Sequence, residues 1–132
     1  MNVVMIGAGY VGLVSGACFA EFGAQVTCVD KIQDRIDALN EGRIPIYEPG
    51  LDDLLERNVR GGRLRFTTEL AESVAAADLI FIAVGTPTRR GDGHADLQYV
   101  YAAASEIAPN LTGYTVIVDK STVPVGTARE VQ

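Results

Sequence analysis

Gly7-Ala8-Gly9-Tyr10-Val11-Gly12 sets its glycines in the pattern G-x-G-x-x-G, and Asp30 follows at close to the usual spacing of about 20 residues. Gly7 allows a tight turn out of a strand, and Gly9 lets the backbone approach a pyrophosphate closely. Gly12 lets the next helix lie against that strand, and Gly16 extends the same close face. The N–H groups that open the helix, Tyr10 and Val11 among them, lie at the positive end of its dipole and can bind phosphate oxygens. Asp30 can accept hydrogen bonds from ribose hydroxyls and would repel a 2′-phosphate, so the pair reads as a site for NAD rather than NADP. Lys31 and Arg35 pull the other way, because cations beside that carboxylate can tolerate a phosphate. Asp30 also has a plainer reading, as the N-cap of the following helix. By itself the hexapeptide is weak evidence, since glycines cluster in many turns; its setting decides its weight.

That setting is a strand before the glycines and a helix after them. Asn2 to Ile6 is a continuous, β-branched-rich run, as expected of a strand buried on both faces. A helix to about Phe22 follows, with Gly23 placed to end it. Gln25 to Val29 reads as a second strand, Lys31 to Asn40 and Leu51 to Arg60 as helices, Leu64 to Thr67 as a short strand and Glu69 to Ala77 as a short helix. Leu79 to Val84 is the most apolar strand. A loop from Gly85 to His94 leads to Asp96, a good N-cap for a helix from Leu97 to Ala108, with Pro109 beyond it. Tyr114 to Asp119 is the fifth strand, followed by a turn at Ser121 to Gly126 and the start of another helix. Strands alternating with helices imply right-handed crossovers: an α/β, Rossmann-like doubly wound parallel sheet, order 3-2-1-4-5, with helices on both faces. In such sheets ligands bind beyond the carboxyl ends of the strands, where the glycine turn, Asp30, Thr86 and Ser121-Thr122 all fall.

Composition narrows the partners. The chain has 132 residues, 48% of them hydrophobic, which suits one ordered domain. A formal charge of −6, spread along the chain, argues against nucleic acid and anionic membranes. No signal peptide or membrane-spanning run is visible, so the expected location is cytoplasmic. Cys18 and Cys28 read as small buried hydrophobes. His94, the single histidine, has no second ligand nearby, and a zinc site is set aside.

A glycine turn with an acidic residue also occurs in the dinucleotide-sensing regulatory domains of potassium transport systems, which catalyse nothing. The rest of the chain separates the two readings. Ile44-Pro45-Ile46-Tyr47-Glu48-Pro49-Gly50-Leu51, Val84-Gly85-Thr86-Pro87-Thr88 with Ala95-Asp96-Leu97, and Lys120-Ser121-Thr122-Val123-Pro124-Val125-Gly126-Thr127 fall in one order along the chain. All three resemble the UDP-glucose/GDP-mannose dehydrogenase family, and the resemblance covers the whole chain.

The resemblance implies a two-step oxidation of a nucleotide-sugar C6 alcohol to a carboxylate with two NAD per substrate, through a cysteine thiohemiacetal assisted by a lysine and acidic residues. It implies that Val11, Asp30, Arg35, Thr86 and Ser121 or Thr122 contact the cofactor, with Gly85 and Pro87 bordering its nicotinamide end. It also implies that Thr122 lies beside the reacting carbon and helps to hold a catalytic water. Without it, Thr86-Pro87 is a plain turn and Ser121-Thr122 a helix-capping one. Tyr47 to Leu51 reads as a structural connector, with Pro49 setting the first turn of the next helix and Glu48 serving its N-terminal end. The Lys120 segment is more like the members that convert UDP-glucose to UDP-glucuronate, although many of those carry glutamate in place of Asp119. UDP-N-acetylhexosamine dehydrogenases stay open. Residues 1–132 are thus expected to be the NAD-binding domain. A central helix and a substrate domain with the catalytic cysteine and lysine would follow Gln132, and the whole protein is expected to be a homo-oligomer. The 132 residues alone are expected to bind NAD without turning over a nucleotide sugar.

Overall fold

The computed structural model describes every residue from Met1 to Gln132. Five strands, β1 (Asn2–Ile6), β2 (Gln25–Val29), β3 (Leu64–Thr67), β4 (Leu79–Ile82) and β5 (Val116–Asp119), form one parallel sheet in the order 3-2-1-4-5. In the central pairings Val3 stands opposite Val26 on one side and Leu79 on the other. The helices are α1 (Tyr10–Glu21), α2 (Gln33–Asn40), α3 (Leu51–Arg60), α4 (Leu70–Ala75), α5 (Gln98–Ile107) and α6 (Thr127–Val131).

Because strand side chains alternate, each strand feeds both faces. Val3, Met5, Val26, Cys28 and Phe81 pack with Leu13, Ala17 and Ala20 of α1, Ile36 and Leu39 of α2, and Leu51 and Leu55 of α3. On the other face Val4, Ile6, Val29, Ile80 and Ile82 pack with Val74 of α4 and Val100, Ala103 and Ile107 of α5. A sheet covered on both faces explains why β1 and β4 are apolar runs rather than alternating ones.

Several boundaries differ from the sequence reading, each for a local reason. α2 begins at Gln33 rather than Lys31 because the Asp30 Oδ1 accepts from the Ile32 N–H at 3.0 Å, a side-chain turn that delays the helix. Asp30 is therefore not the N-cap of α2, which is Ile32. Asp96 repeats the device: its Oδ1 accepts from the Gln98 N–H at 3.1 Å, and Leu97 is the cap. Pro109 lies inside a short 3₁₀ turn, Ala108–Asn110, that extends α5. β4 stops at Ile82, whose carbonyl accepts from the N–H groups of Lys120 and Ser121 as the chain leaves β5. Cys28 is buried as expected, but Cys18 lies on the outer side of α1 and is exposed.

A polar staple that the sequence reading missed fixes α3 onto α1. Asn58 is fully buried; its amide nitrogen donates to Glu21 and to the Leu54 carbonyl, both at 2.8 Å, and its oxygen accepts from Arg63 Nε at 3.1 Å. Arg57 adds a bond of 2.9 Å to Glu21. Together these hydrogen bonds draw the Glu21 carboxyl below its usual range.

Candidate functional site

The glycine turn lies at the carboxyl end of β1, between the ends of β2 and β4. Gly7 takes φ of 107°, and a Cβ there would sit 2.5 Å from the Ala83 carbonyl oxygen. At Gly12 a Cβ would come within 1.8 Å of the Gly7 carbonyl oxygen. The fold itself therefore demands both glycines. Gly9 differs: its backbone is ordinary extended chain, φ −84° and ψ −167°, and a Cβ would meet nothing within 4 Å. Nothing inside the protein requires glycine at this position. The open space faces outward at the N-terminus of α1, where a bound pyrophosphate would lie.

The N–H groups there are free to bind it. α1 has no side-chain cap and no acidic residue in its first turn. Ala8 donates to Asp30, and the next N–H with a backbone acceptor is Leu13, which donates to the Gly9 carbonyl at 2.9 Å. Gly9, Tyr10, Val11 and Gly12 thus present N–H groups without protein partners at the positive end of the helix. Tyr10 and Val11 are exposed, as an anion cradle requires.

Asp30 is buried beside this turn and tied to it. Its Oδ2 accepts from the Ala8 N–H at 2.9 Å and from Arg35 Nη1 at 2.7 Å. Burial pushes this carboxyl up, but the Ile32 and Ala8 N–H groups and the Arg35 guanidinium outweigh it, so Asp30 is held below the ordinary carboxylate value. An ionised carboxylate at the end of β2 is the acceptor that ribose hydroxyls need. The two cations that counted against NAD are both engaged: Arg35 on Asp30, and Lys31 in an ion pair with Glu106 of α5.

The remaining candidates lie beyond β4 and β5. Gly85 and Pro87 are exposed and Thr86 is half-buried. The stretch that follows is an ordered hairpin rather than a plain loop: Thr88 bridges to Ala95, the Arg89 N–H donates to the His94 carbonyl at 2.7 Å, and the Asp96 N–H donates to the Pro87 carbonyl at 2.8 Å. The Ser121 hydroxyl donates to the Val84 carbonyl at 2.9 Å and stitches the end of β5 to the end of β4. Thr122, next to it, is exposed with no such bond. Of these two hydroxyls, Thr122 is the one free to face a ligand. Asp119 accepts from the Ser121 N–H at 3.1 Å, while its Oδ2 is buried without a partner and keeps acceptor capacity at this strand end.

The connector between α2 and α3, residues 41–50, behaves differently from expectation in detail. Gly50, with φ of 82°, caps α3, so Pro49 lies outside the helix. The Glu48 carboxylate does not serve the N-terminus of α3; it accepts from the Tyr10 hydroxyl at 2.9 Å. No sequence signal marks this pair. An open groove of about 770 Å³ beside the connector is lined by Leu39, Ile44, Tyr47, Leu55 and Val59, among others, and includes none of the glycine-turn residues.

A parallel sheet with its order reversing beside a glycine turn, a row of free N–H groups and an ionised acid after β2 defines a dinucleotide-binding Rossmann domain. Comparison with known proteins narrows the class: the chain belongs to the UDP-glucose/GDP-mannose dehydrogenase family, matching its NAD binding domain over residues 1–132. It is 67% identical over its whole length to a UDP-glucose 6-dehydrogenase of Rhizobium meliloti (strain 1021), of which it covers 30%. It is 56% identical over 131 residues, 99% of the chain, to one from Bacillus subtilis (strain 168), of which it covers 28%. Among solved structures, a ternary complex of GDP-mannose dehydrogenase from Pseudomonas aeruginosa superposes with a TM-score of 0.93 at 37% identity, over 99% of this chain and 30% of that one. A UDP-glucose dehydrogenase from Pyrobaculum islandicum gives 0.90 at 43%, over 98% and 32%. The chain thus spans about 30% of the length of the relatives it matches. Nothing in these comparisons supports a potassium-transport regulatory domain.

Proposed function

We propose that this chain is the NAD-binding part of an enzyme that oxidises UDP-glucose to UDP-glucuronate with two NAD. The observation that carries the cofactor reading is Gly9: a glycine that neither the backbone nor the packing needs, beside four unpartnered N–H groups. The sugar reading rests on the identity to UDP-glucose 6-dehydrogenases. When bound, NAD accepts the hydride from the sugar C6. The chain's own residues bind and orient it. Gly7, Gly9, Tyr10, Val11 and Gly12 form the pyrophosphate cradle, Asp30 with Arg35 the adenosine-ribose end, and Gly85, Thr86, Pro87 and Ser121 the nicotinamide side. Thr122 is the residue we assign to the reacting centre; its free hydroxyl can both donate to and accept from a water there.

Residues 1–132 act in this reading as a binding domain. The substrate pocket, the nucleophilic cysteine and its lysine lie in further chain, as does the surface for a homo-oligomer. Cys28 is unsuited to the nucleophile's task, since burial pushes its thiol up to about 12. Two free thiols, one exposed and one buried, fit a reducing cytoplasm. No helix is long and apolar enough to cross a membrane. The test is to supply UDP-glucose and NAD to the protein extended by its substrate domain and to residues 1–132 alone. The longer protein is expected to form two NADH per sugar and the shorter chain none. Turnover by the short chain would refute the division of labour, and inactivity of the long one on UDP-glucose would refute the substrate.

A further inference from the structure

Tyr10 is the first residue of α1, and helical side chains lean toward the N-terminus of their helix, so its ring lies toward the glycine turn. Tyr10 is 52% exposed, and its hydroxyl donates to Glu48 Oε2 at 2.9 Å across a separation of 38 residues. The bond and the charge of Glu48 push the phenol above its ordinary value of 10.0. Glu48 is itself held in place, since its carbonyl accepts from the Leu51 N–H at 3.0 Å as the chain enters α3. A carboxylate is thereby kept one phenol away from four N–H groups that have no acceptor in the protein. Loose, it would compete for those donors and repel a pyrophosphate.

We infer that Glu48 is a positioning residue for the pyrophosphate subsite. It acts through Tyr10, holding the ring as the outer wall of the cradle and keeping its own charge off the N–H groups. This rests on the dinucleotide reading and adds to it a residue from the α2–α3 connector, a segment that otherwise looks purely structural. Glutamine at position 48 can still accept from the phenol; alanine cannot. NADH titrations of the wild-type chain, E48A, E48Q and Y10F, each with its thermal midpoint, test the idea. A hydrogen bond to a charged acceptor is worth roughly tenfold or more when shielded, and solvent screening at this exposed pair brings the expected change to roughly two- to tenfold. E48A and Y10F are therefore expected to weaken NADH by that order, with E48Q within about twofold of wild type and midpoints that do not track the affinities. Wild-type affinity in Y10F or E48A would overturn the inference, as would a loss in E48Q equal to that in E48A, or affinity that falls in step with the midpoint. Wild-type chain that binds no NADH would remove the dinucleotide reading as well; intact wild-type binding with unchanged variants would remove this inference alone.

Discussion

Three glycines with one signature do different work, and substitution separates them. At Gly12 a Cβ would collide with the Gly7 carbonyl oxygen at 1.8 Å, so Gly12→Ala must displace α1 from the sheet. It is expected to lower stability by several kcal/mol, in the range of severe overpacking. Gly9→Ala meets open space, so folding should be unchanged while NADH affinity falls about tenfold or more, the equivalent of about 1.4 kcal/mol. Circular dichroism melts and NADH titration of the two variants check the contrast; equal damage to folding in both would defeat it. Asp30 allows a pH test. Its folded value lies below the ordinary 3.8, so its stabilisation is complete above that value and is lost as pH falls through the lower folded one. Asp30→Asn should be less stable than wild type at neutral pH, and the gap should close in acid. Urea unfolding at both ends would show it, and a gap independent of pH would mean that Asp30 is not ionised in the fold.

At the scale of elements, period and punctuation told most of the story. β1, β2, β3 and α3 begin and end where their apolar runs and glycines put them, because both-face burial leaves an uninterrupted apolar signature in a strand. The misplacements at α2 and α5 share one cause. Asp30 and Asp96 each bond an N–H two residues on, and an aspartate that caps a turn looks in sequence like one that caps a helix. Pairings made across the fold were not legible: Tyr10 with Glu48, and Asn58 with Glu21 and Arg63, join residues whose types give no hint of each other. The site divides the same way. The glycine turn and Asp30 could be read from spacing, whereas the sharing of tasks between Ser121 and Thr122 depends on where the Val84 carbonyl lies. Asn58→Ala removes a fully buried, satisfied amide that links α3 to α1 beside the amino end of β3, away from the glycine turn. It is expected to cost about 1–3 kcal/mol in urea unfolding, with NADH affinity retained; a loss of affinity without loss of stability would show that α3 reaches the site.

For the molecule as a whole, a net charge of −6 sets the background against which a local anion site must work. The fold answers with backbone dipoles rather than cations: the glycine turn offers N–H groups, while Lys31 and Arg35 are paired with Glu106 and Asp30. In the proposed reading these N–H groups hold the pyrophosphate, and an added 2′-phosphate would have to compete with Asp30 and Glu106 for Arg35 and Lys31. The most direct test is to titrate the purified chain with NADH and, separately, NADPH, and to repeat both with Asp30→Ala. Saturable NADH binding, weaker NADPH binding and a loss of NADH affinity in the variant are the expected result. Equal affinity for the two cofactors, or binding of neither, would contradict it.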